Sequence, residues 1–426
     1  VIAPAPGAAV RRLMRHGAYA PLLFIALGLM MARLLAAARI LDVTEFAHYS
    51  AALLVSGSFC MLGSLGLQTM LQRELPVMIH RGQERRGLVL LAQSLVVAAA
   101  CALVGLLAAL AVPTTGAGQA LDRSAFAVGV LHGLSQQAFV LVTVESRSRG
   151  HTMAFARQYM VRSIAVVACG MLAMRLTDSG TWGAAAEAAA TLAISAWVLR
   201  GITGRAGTRI ASAAMLATRR LHDLRWRAAA ALLAVFALSW AVQNADRWVA
   251  ERALGVTSFA VYAFAANAVT VASAVQMVTN AALFPRLATV YASSGRRGAF
   301  ASAMRFSGLL GAVGLVAAPA AVLAWGFVID RWFPQYVGSN AAAPLLIGVG
   351  VLRVSDYWSS FLLVVGAERR LLAVTAVTAL VLGTAWWLLL PTGEAPTIES
   401  IAWLALALAA GTYGSSFLIA WRESRQ

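Results

Sequence analysis

Lysine is absent from this chain, and all 34 basic residues are arginine. Acids are scarce, with 17 Asp and Glu among 426 residues, and charged residues make up only 12%, against about a quarter in soluble domains. That deficit excludes a water-soluble globular protein. Cysteine is limited to Cys60, Cys101 and Cys169, each inside an apolar run. Without metal-ligand spacing or partners they exclude a zinc site or disulfide framework and are expected to pack. No GxxxxGK[ST] loop occurs, so ATP hydrolysis by this chain is not expected. Arginine as the sole basic residue, together with abundant alanine, suggests a GC-rich bacterial genome.

What fills the space is apolar. Hydrophobic residues make up 60% of the chain and the mean hydropathy is +0.76, which marks an integral membrane protein. Runs long enough to cross about 30 Å of hydrocarbon as helices recur throughout. Twelve spans are expected: 18–38, 46–71, 88–111, 125–144, 159–176 and 182–199, then 228–246, 258–281, 306–329, 342–366, 371–390 and 400–421. These runs are too long and do not alternate as transmembrane β-strands would. The fold class is therefore all-α, and an even number of spans puts both termini on one side.

Arginine fixes the expected orientation. Connectors on the N-terminal side carry Arg11, Arg12, Arg15, Arg85, Arg86, Arg219, Arg220, Arg296 and Arg297, whereas those opposite hold more acids than arginines. Both ends are expected in the cytoplasm of a bacterium, with the spans in its plasma (inner) membrane. The net charge of +17 then reads as a topology signal and an attraction to anionic membrane lipids. No nucleic-acid motif accompanies it. The leader VIAPAPGAAVRRLMRH precedes an apolar run too long for a signal-peptide core, so the first span is expected to be retained.

The chain repeats itself half its length apart. RILDVTEFAHY (39–49) matches RALGVTSFAVY (252–262) at Arg39/Arg252, Leu41/Leu254, Val43/Val256, Thr44/Thr257, Phe46/Phe259, Ala47/Ala260 and Tyr49/Tyr262. Each half, 1–213 and 214–426, supplies six spans and returns the chain to its starting side, so the repeat is parallel. Transporters built this way hold substrate near the membrane middle, where the two bundles meet. The matched segment is the outside turn before spans 2 and 8. Its Thr-acid/polar pair reads as a helix start, and its Phe and Tyr suit the membrane interface. The basic connector 200–227 links the bundles. Residues 210–222 form either an amphipathic helix on the inner leaflet, with Arg209, Arg219 and Arg220 at the headgroups, or a solvated tether.

RLLAAARILDVTEFAHYSAALLVSGSFCMLGSLGLQTMLQREL (33–75) resembles the opening of the polysaccharide flippases of the multidrug/oligosaccharidyl-lipid/polysaccharide exporter superfamily, which includes O-antigen and exopolysaccharide repeat-unit translocases. NADRWVAERALGVTSFAVYAFAANAVTVASAVQMVTNAALFPRL (244–287) resembles their segment spanning helices 7 and 8, including Asp246, Leu254-Gly255, Tyr262 and Phe284-Pro285. Asp42, Ala47 and Ala260 depart from the glycines usual there. The resemblance implies two six-helix bundles in a V. It also implies movement of a polyprenyl-diphosphate-linked oligosaccharide from the cytoplasmic to the outer leaflet by alternating access, for cell-surface polysaccharide biosynthesis. Other polysaccharide-assembly proteins would be its partners.

Charge inside a bilayer is costly and is expected to face a cavity or a partner. Arg33, within span 1, is the leading candidate for the diphosphate, because guanidinium contacts phosphate oxygens bidentately; the alternative is snorkelling to the outer headgroups. Ser239, Gln243, Asp246 and Arg247 share one face of span 7, expected to line the cavity. Asp246 is read as a partner of Arg33 or Arg247, as a proton or Na⁺ site, or as half of an ion pair near the outer surface. Arg353, Asp356 and Ser360 share a face of span 10, where Arg353 and Asp356 would neutralise each other. Arg162, near the inner end of span 5, either snorkels or meets an arriving headgroup. Ser273, Gln276 and Asn280 on span 8, and His132, Gln136 and Thr143 on span 4, are expected to be mostly interhelical hydrogen-bonding groups. His16, His48, His80, His151 and His222 lack metal or catalytic spacing.

No cofactor is expected, and H⁺ or Na⁺ coupling stays open. An inside-negative potential drives anions outward, so two negative charges crossing the full field gain about 4 to 5 kcal/mol per 100 mV. One rival is a cation-coupled drug exporter of the same superfamily, disfavoured because buried arginines are expected to outnumber buried acids. A major-facilitator transporter is disfavoured because loop 72–87 lacks that group's glycine-x-x-x-aspartate-arginine pattern. A membrane enzyme of polysaccharide assembly would need a larger outside domain than VPTTGAGQALDRS (112–124), so no enzyme activity is expected. A scaffold of the assembly complex is the remaining alternative.

Overall fold

The computed structural model describes residues 19–112, 119–205, 207, 210–389 and 396–426, and among them every regular element is a helix. The leader, Arg11, Arg12, Arg15, His16, Arg209 and residues 113–118 of the 112–124 connector lie outside the described residues. Eleven helices are long and apolar enough to cross a membrane, and twelve if one bent pair is counted as a span. Their ends run past the apolar windows, because a helix continues through the charged residues at the headgroups.

The first half comprises α1 (Ala20–Ile40), α2 (Val43–Leu62), α3 (Leu67–His80), α4 (Glu84–Ala109), α5 (Arg123–Ser148), α6 (Thr152–Thr177) and α7 (Gly180–Arg205). The connector forms α8 (Ile210–Arg219), so its helical reading holds over those residues. The second half comprises α9 (Trp226–Ala253), α10 (Val256–Ala265), α11 (Asn267–Trp332), α12 (Ala343–Ser355), α13 (Trp358–Val365), α14 (Glu368–Leu389) and α15 (Ile398–Arg425). Within α11, Gly295 is non-helical and separates the expected spans 8 and 9. The chain divides into two compact units inside α9, between Ala234 and Val235.

Two expected spans are broken. Span 2 bends by 50° between α2 and α3, where Leu65 and Gly66 have φ of 49° and 81°. A Cβ at Gly66 would sit 2.1 Å from the Ala229 carbonyl oxygen, so this turn requires glycine. Span 10 breaks at Asp356, whose carboxylate accepts from the Ser359 amide at 3.2 Å. A short side chain that bonds backbone amides competes with helix continuation. The start of α2 is also set by an aspartate: Asp42, rather than the expected Thr44, caps it by accepting from the Glu45 amide at 2.7 Å.

Lipid offers little hydrophobic drive between helices, so close packing of small residues holds a bundle together. In unit 1, Gly129 and Gly133 of α5 seat against α2. Cβ atoms there would lie 2.7 Å from the Ala52 carbonyl oxygen and from Phe59 Cβ. Further along, Leu67, Leu71, Leu91, Leu141 and Ile202 close a core across α3, α4, α5 and α7. Unit 2 uses an aromatic core instead, in which Trp358 packs edge-on to Phe417 and Phe361 edge-on to Phe300.

Each unit also gathers arginines around one buried glutamate at a helix end. Glu145 accepts from Arg149 at 2.6 Å and from Arg205 at 3.1 Å. The hydrogen bond to Glu84, and then that to Glu145, hold the Arg149 guanidinium above its already high range. In unit 2, Glu423 accepts from Arg296 at 3.0 Å and from Arg370.

Candidate functional site

Unit 1 buries a charged cluster at the meeting of five helices. Gly180, at the start of α7, donates its amide to Glu45 of α2 at 2.8 Å. Two turns later α7 presents Glu187, which is fully buried. Its carboxylate accepts from Arg33 Nη1 of α1 at 2.5 Å and from the Tyr49 hydroxyl of α2 at 2.9 Å. His132 Nε2 of α5 lies 3.2 Å from it, while His132 Nδ1 lies 2.7 Å from Ser56 Oγ. An ionised carboxylate only accepts, so Nε2 donates to Glu187 and Nδ1 is free to accept from Ser56.

Arg162 of α6 lies beside this cluster under different conditions. It is 4% exposed, donates to Gln136 Oε1 and stacks over Phe139 with 4.8 Å from guanidinium carbon to ring centre. Its Nε has no hydrogen-bond partner, and no acid pairs with it among the described residues. Arg162 was expected near the inner end of its span. It lies about 15 Å along α6, which begins at Thr152. The cluster of Arg33, Glu187 and Arg162 therefore carries one net positive charge, located on Arg162.

Unit 2 holds a cavity of about 190 Å³. Ser239, Gln243 and Asp246 of α9 line it, with Gln276 of α11, Arg353, Asp356 and Ser359 around the break between α12 and α13, Thr375 of α14, and Thr412 and Tyr413 of α15. Asp246 accepts from the Tyr262 hydroxyl at 2.5 Å. Arg353 donates to the Gln243 carbonyl at 2.6 Å. Asp356 accepts from Ser359 Oγ at 2.7 Å and from Ser416 Oγ at 3.3 Å. Two carboxylates and one guanidinium leave this cavity net negative.

Several expectations are corrected by this geometry. Gln243, Asp246, Arg353 and Asp356 do share a cavity, but Arg247 is not on it. It turns to the α10–α11 junction, donating to the Ala266 carbonyl and to Thr270, both at 3.0 Å. Asp246 does not pair with Arg247; its hydrogen-bond donor among the described residues is Tyr262. Arg353 and Asp356 form no ion pair, because the helix ends between them and each is satisfied elsewhere. Phe46, Tyr49, Phe259 and Tyr262 are at most 2% exposed and pack into the bundle interior rather than facing lipid headgroups. Among the described residues buried arginines do not outnumber buried acids: Arg33 and Arg162 stand against Glu145, Glu187, Asp246, Glu251 and Glu423.

Glu187 escaped the sequence reading altogether. It is the only acid in span 182–199, so the rule that singled out Arg33 would have found it. The repeat carries a second signal. In the matched register Arg33 and Asp246 occupy equivalent positions, each six residues before the paired Arg39 and Arg252. The repeated tyrosine in both halves donates to a buried carboxylate, so the position that is cationic in one half is anionic in the other.

Neither a protein-family model nor a curated protein matches the chain by sequence. Solved structures match it by fold. A MATE transporter crystallised with MaL6 aligns at TM-score 0.64 and 12% identity, covering 96% of this chain and 95% of that one. The lipid II flippase MurJ, in an inward closed conformation, aligns at 0.63 and 8% identity, covering 96% and 87%. A multidrug/oligosaccharidyl-lipid/polysaccharide superfamily transporter from Pyrococcus furiosus, described by a reversed polarity of its binding pocket, aligns at 0.55 and 12% identity, covering 96% and 93%. Identities this low speak for architecture alone. This chain is a multi-pass membrane protein with the all-helical fold shared by MATE and MurJ transporters.

Proposed function

We propose that the chain is a flippase that moves a polyprenyl-diphosphate-linked oligosaccharide from the cytoplasmic to the outer leaflet of a bacterial plasma membrane by alternating access. The observation that carries this reading is Arg162. A buried guanidinium without an acid is strongly destabilising, and its position between Gln136 and Phe139 pre-orders it for an anion. A diphosphate would supply the missing charge. Arg33, already neutralised by Glu187, has the supporting part of keeping the cluster cationic. The reading needs no cofactor, since the membrane potential favours outward movement of the anion, and polysaccharide-assembly proteins are the partners it implies.

The test is transbilayer movement of a fluorescent polyprenyl-diphosphate oligosaccharide in proteoliposomes, wild type against Arg162→Gln, with folding checked by thermal melting. Wild type is expected to move the lipid and the folded variant is not. Movement at the wild-type rate by the variant would overturn the assignment of Arg162.

A second reading has its own observation. The net-negative cavity of unit 2, with Asp246 and Asp356 facing a space of about 190 Å³, suits a cation and so favours a cation-coupled exporter. Export of a cationic dye down an imposed Na⁺ or H⁺ gradient, by protein that moves no lipid, would select it. Movement of the diphosphate lipid would reject it as the main activity.

A further inference from the structure

The connector between the bundles is fastened to unit 1. Gln93 of α4, itself buried, donates to the Arg220 carbonyl at 2.6 Å. Ala217 of α8 is fully buried against Ala92 and Val96 of α4. Ala92 lies eight residues beyond Glu84, the first residue of α4, or about 12 Å along that helix.

The outward side of this segment is unpartnered and of mixed chemistry. Met215 and Leu216 are 54% and 39% exposed. Beside them Arg219, Arg220 and Arg227 are exposed and have no acid partner among the described residues, whereas Arg225 is paired with Glu74 and Asp223 with His222. Arg227 lies in the first turn of α9, where the helix dipole disfavours a cation. An anion from outside the chain would relieve that conflict.

We propose that α8 and the residues following it form a docking surface for anionic phospholipids of the leaflet that the arginine bias assigns to the cytoplasm. Arg219, Arg220 and Arg227 contact the phosphate headgroups, and Met215 and Leu216 enter the acyl chains. The apolar pair is what selects a phospholipid over a free phosphate. Such lipids would hold the connector at a fixed depth while the units on either side of it work.

The experiment uses the full-length protein in nanodiscs of phosphatidylcholine alone or mixed with phosphatidylglycerol. Readouts are lipid retention by native mass spectrometry and thermal melting. Wild type is expected to retain phosphatidylglycerol preferentially and to melt higher with it, and both effects should shrink at high salt. The Arg219→Gln/Arg220→Gln/Arg227→Gln variant is expected to lose enrichment by roughly fivefold per arginine removed, and the corresponding lysine variant is expected to keep it. Leu216→Glu is expected to lose enrichment with all three arginines intact, which gives a second route should the triple variant fail to fold. The proposal falls if wild type shows no preference, if the folded glutamine variant retains phosphatidylglycerol like wild type, or if inorganic phosphate alone reproduces the stabilisation.

Discussion

Replacing Glu187 by leucine removes the acceptor shared by Arg33, Tyr49 and His132 at 2.5, 2.9 and 3.2 Å. The dominant loss is electrostatic, because Arg33 stays buried without its counter-charge, and breaking such a pair from one side costs about 3 to 5 kcal/mol. At roughly 2 to 4 °C per kcal/mol for a unit of this size, the melting temperature should fall by about 6 to 20 °C. The Arg33→Met/Glu187→Leu double variant removes both charges and should melt well above Glu187→Leu. Recovery should be incomplete, because the Tyr49 hydroxyl and His132 remain without their acceptor, each at about 1 to 3 kcal/mol. Thermal melting of wild type, both single variants and the double variant closes the cycle, with an expected coupling of about 0.5 to 3 kcal/mol. Additive losses, or a Glu187→Leu protein as stable as wild type, would refute the view that this pair anchors unit 1. The same double variant separates two roles in transport. If Arg33 is structural, the double variant still moves lipid while Arg162→Gln does not.

Three further outcomes follow from the packing. Tyr262→Phe removes the only hydrogen-bond donor to Asp246 among the described residues and should cost about 1.5 to 3 kcal/mol. Tyr49→Phe should cost less, since Glu187 keeps Arg33 and His132, and thermal melting of the two variants reads the difference. Gly129→Ala forces a Cβ to within 2.7 Å of the Ala52 carbonyl oxygen, an overpacking cost of about 1 to 3 kcal/mol visible as a lower midpoint in detergent. Glu423→Gln should be much milder than the loss of Glu187, under about 1 kcal/mol, because Arg296 and Arg370 are partly exposed and return to water. Its effect should vanish at high salt.

The number and type of elements could be read from apolar run length, because a run that must cross hydrocarbon has few alternatives to a helix. The breaks were harder to read. Gly63, Ser64 and Gly66 are turn-forming residues inside the apolar stretch 46–71, but the close approach that requires glycine at 66 comes from the Ala229 carbonyl far along the chain. At Asp356 the expected i, i+3 pairing with Arg353 presumed an unbroken helix, and the aspartate itself ends that helix. The faces of α9 show the same limit. Ser239, Gln243 and Asp246 stay together on the cavity, but Arg247, only one position on, is drawn to carbonyl and hydroxyl acceptors at a neighbouring junction. Periodicity gives the face of a helix, and the partners opposite decide which of its borderline residues belong to the site.

Tyr49 and Tyr262 look like interfacial aromatics when each is read alone. Their burial in both halves, each against a carboxylate, shows that the repeated element is a way of fixing a buried acid. The acid itself is not repeated: Glu187 reaches Tyr49 from α7, the last helix of its bundle, whereas Asp246 reaches Tyr262 from α9, the first of the next. The position equivalent to Asp246 is free to become Arg33 because Glu187 supplies the acid from elsewhere. Once an arginine stands there, the first unit neutralises its own carboxylate and Arg162 leaves it cationic. The second unit keeps Asp246 beside an open cavity, where Tyr262 is its one hydrogen-bond donor among the described residues. The buried cluster of the first unit therefore keeps a spare cation on Arg162, and the cavity of the second keeps two carboxylates against one guanidinium. The proposed flippase reading rests on the buried cation of the first unit and the exporter reading on the carboxylates of the second, so the two can be tested separately.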